Sequence, residues 1–212
     1  MAKVIHICGI ERGDFPYYIA AILAENDNIV LVIDNSYTHD LFTGVSEDMD
    51  KDFVVKQNIT YVKNKSFDSS EYEGAFEYVI VYHGMNILPE TIKEDDIVYI
   101  LPDYNPVSLK MIRSKLPAEL NLNGIIFRDS VMSNKISDAK GAKMLGLKPE
   151  KVTYSLIYDS KDYENYLALI YNGRQKFTNL TPIYNECLIH AISEITGVDE
   201  KEATKMFKKA RG

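Results

Sequence analysis

The chain has 212 residues, of which 46% are hydrophobic and 26% charged, with a formal net charge of −7. That length allows one ordinary domain with a sizeable core, and the composition is that of a globular protein. The acidic balance argues against generic binding to nucleic acid or anionic lipid.

In chain order, the first apolar run is "KVIHIC" (3–8), a predicted strand that opens into the loop "CGIERGDFPYY". "PYYIAAILAEN" (16–26) follows as a helix with Pro16 in its first turn, where a missing N–H costs little. "NIVLVID" (28–34) is almost continuously apolar, as expected of a strand covered on both faces. Residues 35–57 are polar and poorly periodic, and "ITYVKN" (59–64) alternates like a short edge strand. "FEYVIVYH" (76–83), "DIVYILP" (96–102), "NGIIFRD" (123–129) and "KVTYSLIY" (151–158) are further strands. The intervening "NPVSLKMIRSKL" and "ISDAKGAKMLGL" carry helical spacing. The chain then turns wholly helical, through "KDYENYLALIYNG", "TPIYNECLIHAISEITG" and "DEKEATKMFKKARG". No repeat or linker divides it, so one domain over residues 1–212 is expected.

Alternating strands and helices imply right-handed crossovers. The expected fold is α/β, with three layers: a mostly parallel twisted sheet, helices on both faces and a helical C-terminus. Ligands of such sheets bind beyond the carboxyl ends of the strands. Here that edge comprises residues 9–15, 34–40, 82–88 and 102–106.

Cys8 and Cys187 are the two cysteines, and the four histidines (His6, His39, His83, His190) show no ligand spacing. Buried thiols in a reducing cytoplasm are expected, with no metal. "MAKVIHICGI" lacks a signal-peptide core and no apolar run approaches a membrane span, so a soluble cytoplasmic protein is expected.

A phosphate-binding loop works through consecutive backbone N–H groups at a helix N-terminus, a lysine for the outer phosphates and a hydroxyl for magnesium. In "IERGDFPYYIAAILA" (10–24) only part of that frame is present. The stretch resembles the deviant P-loop ATPases of the ParA/MinD family, whose loop reads GKGGVGKST and leads into a helix such as LAANLA. Gly13 matches a loop glycine and "IAAILA" the helix, but Glu11 stands at the family's signature lysine. Pro16 stands at the phosphate-binding lysine, Tyr17 at the magnesium hydroxyl and Phe15 at the last loop glycine. Asp34, ending "NIVLVIDNS", matches a family aspartate, whereas Tyr82 replaces the magnesium-linked one in "FEYVIVYHG". Arg128 stands where a base-contacting asparagine is found.

The resemblance runs over nearly the whole chain as a pattern of elements. It implies a catalytically inactive relative, comparable to the TadZ/CpaE-type proteins that localise secretion or pilus machinery, or to partition and conjugation partners. No catalytic residue, metal or cofactor is expected. Gly13 and Asp34 are residual pocket positions.

Fifteen tyrosines are many for this length. Tyr17, Tyr18, Tyr82, Tyr99 and Tyr104 gather near the carboxyl edge, where two ParA/MinD subunits meet around nucleotide. Aromatic filling there suggests a homodimer or heteromer that needs no nucleotide. The candidate partner contacts are Glu11, Arg12, Phe15, Tyr17, Tyr18, Tyr82, His83 and Tyr104.

Other readings stay open. The pocket could hold a nucleotide or small anion through altered contacts, with Arg12 as its cation. His83 with Asp34, or with Asp103 and Tyr104, could serve acid–base chemistry. The loop could be no more than a strand-to-helix turn, with Asp34 capping it. In the tail, Lys201–Gly212, an apolar face of Ala203, Met206, Phe207 and Ala210 is expected to pack on the domain in preference to a membrane surface.

Overall fold

The apolar runs fold as strands. In the computed structural model, which describes residues 2–46, 48, 50–63, 74–117, 119–131, 136–173 and 179–211, they are β1 (Lys3–Gly9), β2 (Val30–Asp34), β3 (Phe53–Lys56), β4 (Ile59–Lys63), β5 (Tyr78–Gly84), β6 (Ile97–Leu101), β7 (Gly124–Ser130) and β8 (Val152–Ile157). They form one eight-stranded sheet in the order β3-β4-β2-β5-β1-β6-β7-β8. Every pair is parallel except β3 with β4.

Two expectations are corrected here. β4 is not an edge strand, because it pairs with both β2 and β3. The edge is β3, which lies in the stretch read as irregular and carries exposed Phe53 and Val55.

The helices are α1 (Asp14–Glu25), α2 (Asp40–Val45), α3 (Pro106–Lys115), α4 (Asp138–Leu145), α5 (Ser160–Asn172), α6 (Pro182–Thr196) and α7 (Glu200–Arg211). Their ends follow ordinary capping chemistry. Asn105 accepts the Val107 N–H ahead of Pro106, and Ser137 and Asp159 cap α4 and α5 in the same way. Gly146, Gly173 and Gly197 end α4, α5 and α6 in the left-handed conformation.

Alternation along the strands sorts side chains to two faces. Ile5 and Ile7 of β1 pack in one cluster with α1, α6 and α7. Cys8, Val98, Ile100, Ile125 and Phe127 meet Leu109, Ile112, Ala142 and Leu145 of α3 and α4 on the other. Every residue of α1 from Asp14 to Ala24 is buried. A helix apolar all round is covered all round, here by the sheet beneath and by α6 and α7.

The tail behaves as expected. Ala203 and Phe207 are buried against that cluster, Met206 and Ala210 are half-buried, and Asn26 donates to the Met206 carbonyl at 3.1 Å. Among the described residues no helix is long and apolar enough to cross a membrane. Cys8 and Cys187 are buried free thiols, and burial pushes the Cys8 thiol up to about 12.

Candidate functional site

β1 lies between β5 and β6, so its carboxyl end opens at the middle of the sheet, where the loop 9–13 turns into α1. The Gly13 backbone has an ordinary φ of −76. Its requirement is space: a Cβ there would lie 2.7 Å from the Leu41 Cβ, because α2 packs directly on the loop.

The N–H of Gly13 is held by a carboxylate of the chain itself, donating to Asp40 Oδ2 at 2.7 Å. The Tyr166 hydroxyl donates to the same oxygen at 3.1 Å. Glu11 closes the neighbouring gap, accepting the Met85 N–H at 2.7 Å and the Thr38 hydroxyl at 3.1 Å. Gly84 has a φ of +52, and a Cβ there would stand 2.5 Å from Glu11 Oε1. The Glu11 carboxylate thus fills the tip of β5. Asp34 accepts from the Ser36 N–H and hydroxyl at 3.1 and 2.6 Å and from the Phe42 N–H at 2.9 Å. It ties the turn into α2, which is the capping role open to an aspartate at a strand end.

Beneath the loop lies a buried ionic cluster. Asp14, in the first turn of α1 where the helix dipole favours an anion, is fully buried. Arg128 donates to its two oxygens at 2.7 and 3.3 Å, and the Tyr184 hydroxyl donates at 3.0 Å. Arg12 donates to Asp14 at 3.3 Å and to both oxygens of Asp129 at 2.9 Å. Its guanidinium lies over the rings of Tyr166 and Tyr163, 4.8 and 5.5 Å from their centroids. Burial works to raise the Asp14 pKa, but the charges of Arg128 and Arg12 outweigh it and hold the carboxyl below its ordinary range. Asp129 accepts this geometry at a φ of +52, strained for a residue other than glycine.

The expectation of an aromatic surface at this edge is corrected by burial. Phe15, Tyr17, Tyr18 and Tyr82 are all at most 2% exposed. They sit inside because α1 is enclosed on every side and the Tyr82 side chain lies on the α1 face of β5. Tyr18 packs edge-on against Tyr184, and Tyr17 against Tyr18. Arg12 and His83 are buried as well, leaving Glu11 and Tyr104 half-exposed. Exposed aromatic area at this edge comes instead from Tyr37, Tyr158 and Tyr163.

His83 is not joined to Asp34 or Tyr104. His6 Nδ1 is 2.9 Å from His83 Nε2, and His6 Nε2 is 3.0 Å from Asp96 Oδ2, forming a buried chain on the sheet face opposite α1. Asp103 accepts the Asn105 N–H, and the Tyr104 hydroxyl donates to Asp138. The proposed acid–base constellation is therefore not assembled. The sequence marks Arg128 only as a replacement, and its pairing with Asp14 emerges from the structure alone. The available signal was a basic residue inside the apolar run "NGIIFRD", which requires a buried anion.

Burial pushes the Asp40 carboxyl up to about 6, aided by the charge of Asp34 and opposed by the Gly13 N–H. With its folded pKa raised, Asp40 contributes stability that is present below about 4 and lost as pH rises through about 6. Asp40→Asn keeps an oxygen for Gly13 and removes the buried charge. Urea unfolding at pH 7.5 is expected to show the variant about 1–2 kcal/mol more stable, with the gain vanishing near pH 4.

No family model matches the chain, and no curated protein sequence does. Solved structures do. The chain is similar to the cell-division protein MinD of Aquifex aeolicus, with 14% identity and a TM-score of 0.51 over 99% of this chain and 95% of that one. It is similar to a chain of the MinC:MinD complex from the same organism, with 13% identity and a TM-score of 0.54 over 99% and 94%. It is also similar to apo McdA of Cyanthece, with 14% identity and a TM-score of 0.50 over both full lengths. At these identities the likeness is one of fold: the chain has the α/β architecture of the ParA/MinD P-loop ATPases.

Proposed function

We propose that this chain is a ParA/MinD-fold protein that neither binds nor hydrolyses ATP and acts as a cytoplasmic adaptor or scaffold. Its role would be the positioning or assembly of a larger system, as in TadZ/CpaE-type, partition or conjugation proteins. The observation that carries the reading is the use made of the loop: the Gly13 N–H is taken by Asp40, and Asp14 sits at the helix N-terminus.

The residues present do not fit a magnesium nucleotide. A triphosphate would meet the carboxylates of Glu11, Asp14, Asp34 and Asp40, while the loop's own cation, Arg12, is already paired with Asp14 and Asp129. Charge-assisted bonds are worth about 1.5–3 kcal/mol each, so replacing several by like-charge contacts removes affinity by orders of magnitude. Binding of a small anion through Arg12 has the same obstacle, since Arg12 must first leave two carboxylates.

The similarity to a chain of the MinC:MinD complex is consistent with a protein partner. Phosphate release and light scattering test the reading together. The expected result is no release above the protein-free blank, and the same molar mass with and without magnesium ATP. Turnover, or assembly that depends on ATP, would sink it.

A further inference from the structure

The surface charge is not evenly spread. The chain carries a net −7, yet α3 contains Lys110, Arg113 and Lys115 and no acid, while α4 contains Lys140 and Lys143 with Asp138 as its single acid. Asp138 is engaged by the Tyr104 hydroxyl, and none of Lys110, Arg113, Lys140 or Lys143 forms an ion pair among the described residues. All four are exposed.

Between the two helices lies a pocket of about 180 Å³, walled by Tyr104, Leu109, Ile136 and Met144, with Lys140 on its rim. Tyr104 is fixed there by stacking on Phe127, 4.4 Å between centroids. The pocket is smaller than the roughly 300–1,000 Å³ of sites that take drug-sized ligands, and it matches a single large apolar side chain. Beside it, Val107 and Met111, one turn apart on α3, are 64% and 45% exposed.

We infer that the α3–α4 face is a docking surface for an acidic segment of another protein, which seats one large apolar side chain in the pocket and sets its carboxylates against the surrounding lysines and Arg113. Two features select this partner. The unneutralised basic rim calls for negative charge, and the apolar concavity at its centre calls for a side chain that reaches inward. Nucleic acid and an anionic membrane satisfy the first and leave the second unused. No residue of the loop 9–13 lines this pocket, so the inference does not depend on whether that loop binds nucleotide.

The test is selection of a phage-displayed library of random linear peptides on the full chain, with binding measured by fluorescence anisotropy. Enriched peptides are expected to carry one or two large apolar residues flanked by Asp and Glu. Their affinity should fall about ten-fold or more in Lys110→Glu with Lys140→Glu, and be unchanged in Lys201→Glu with Lys205→Glu on α7. Met144→Asp, which puts a charge in the pocket, should weaken binding separately. Circular dichroism checks that each variant is folded. The inference is overturned if no binder emerges, if the binders are not acidic, or if they bind the α3–α4 variants unchanged. It is equally overturned if a random-sequence DNA duplex or phosphatidylserine vesicles bind this face as well as the peptides do.

Discussion

Asp14→Asn is expected to lower stability by about 3–5 kcal/mol, because it strands the buried Arg128 without its anion and leaves the buried Arg12 with Asp129 alone. The pair is enclosed: Asp14 is 0% and Arg128 2% exposed, with the closest contact 2.7 Å. Arg128→Met should cost a comparable amount for the converse reason. The double variant is the informative one. Removing both charges removes the stranded partner, so its loss should fall short of the sum of the two single losses by about 0.5–3 kcal/mol. Tyr184→Phe deletes one hydroxyl from the same cluster and should cost about 1–2 kcal/mol. Urea unfolding of the four variants measures all of this. Strict additivity of Asp14→Asn and Arg128→Met would show that the two side chains are not coupled.

The second large effect is in acid. His83 is fully buried, and burial first, then the neighbouring His6, depress its pKa from 6.5 to about 3. A depressed folded pKa gives stability that is present above 6.5 and lost as pH falls through about 3, since the unfolded chain takes up the proton first. The full window is worth about 5 kcal/mol, of which about 2–3 should be lost between pH 7.5 and 4.5. Asp40 acts in the opposite sense below about 6, so the contribution of His83 is read from a variant and not from the raw pH profile. His83→Gln retains an N–H for His6 and cannot ionise. Its stability should fall less steeply with acid than that of the wild type. Parallel losses in the two proteins would show that His83 does not titrate on unfolding.

Much of the fold could be read from the chain because parallel strands covered on both faces are continuous apolar runs. "NIVLVID" and "FEYVIVYH" announce themselves in this way. β3 and α2 could not be read, since four and six residues are too few for a period to stand out. At positions 16 and 17 the chain shows directly that Pro16 carries no ammonium and Tyr17 no aliphatic hydroxyl, since that is a matter of residue identity. What took their place was not legible. Tyr17 and Tyr18 near a ligand edge can face either way, and the clue to their burial was that "DFPYYIAAILAE" has no polar stripe. The bond between Asp14 and Arg128 spans 114 residues, so each could be flagged as a buried charge but neither could name the other.

The charges that a phosphate loop directs outward at its ligand are here directed inward, and they hold the loop against β7, α2 and α5. We propose that this closed arrangement leaves no place for a nucleotide's phosphates. Calorimetric titration of the full chain with ATP and magnesium tests it most directly. The expected result is no heat beyond dilution up to millimolar nucleotide, and a saturable isotherm in the micromolar range would contradict it.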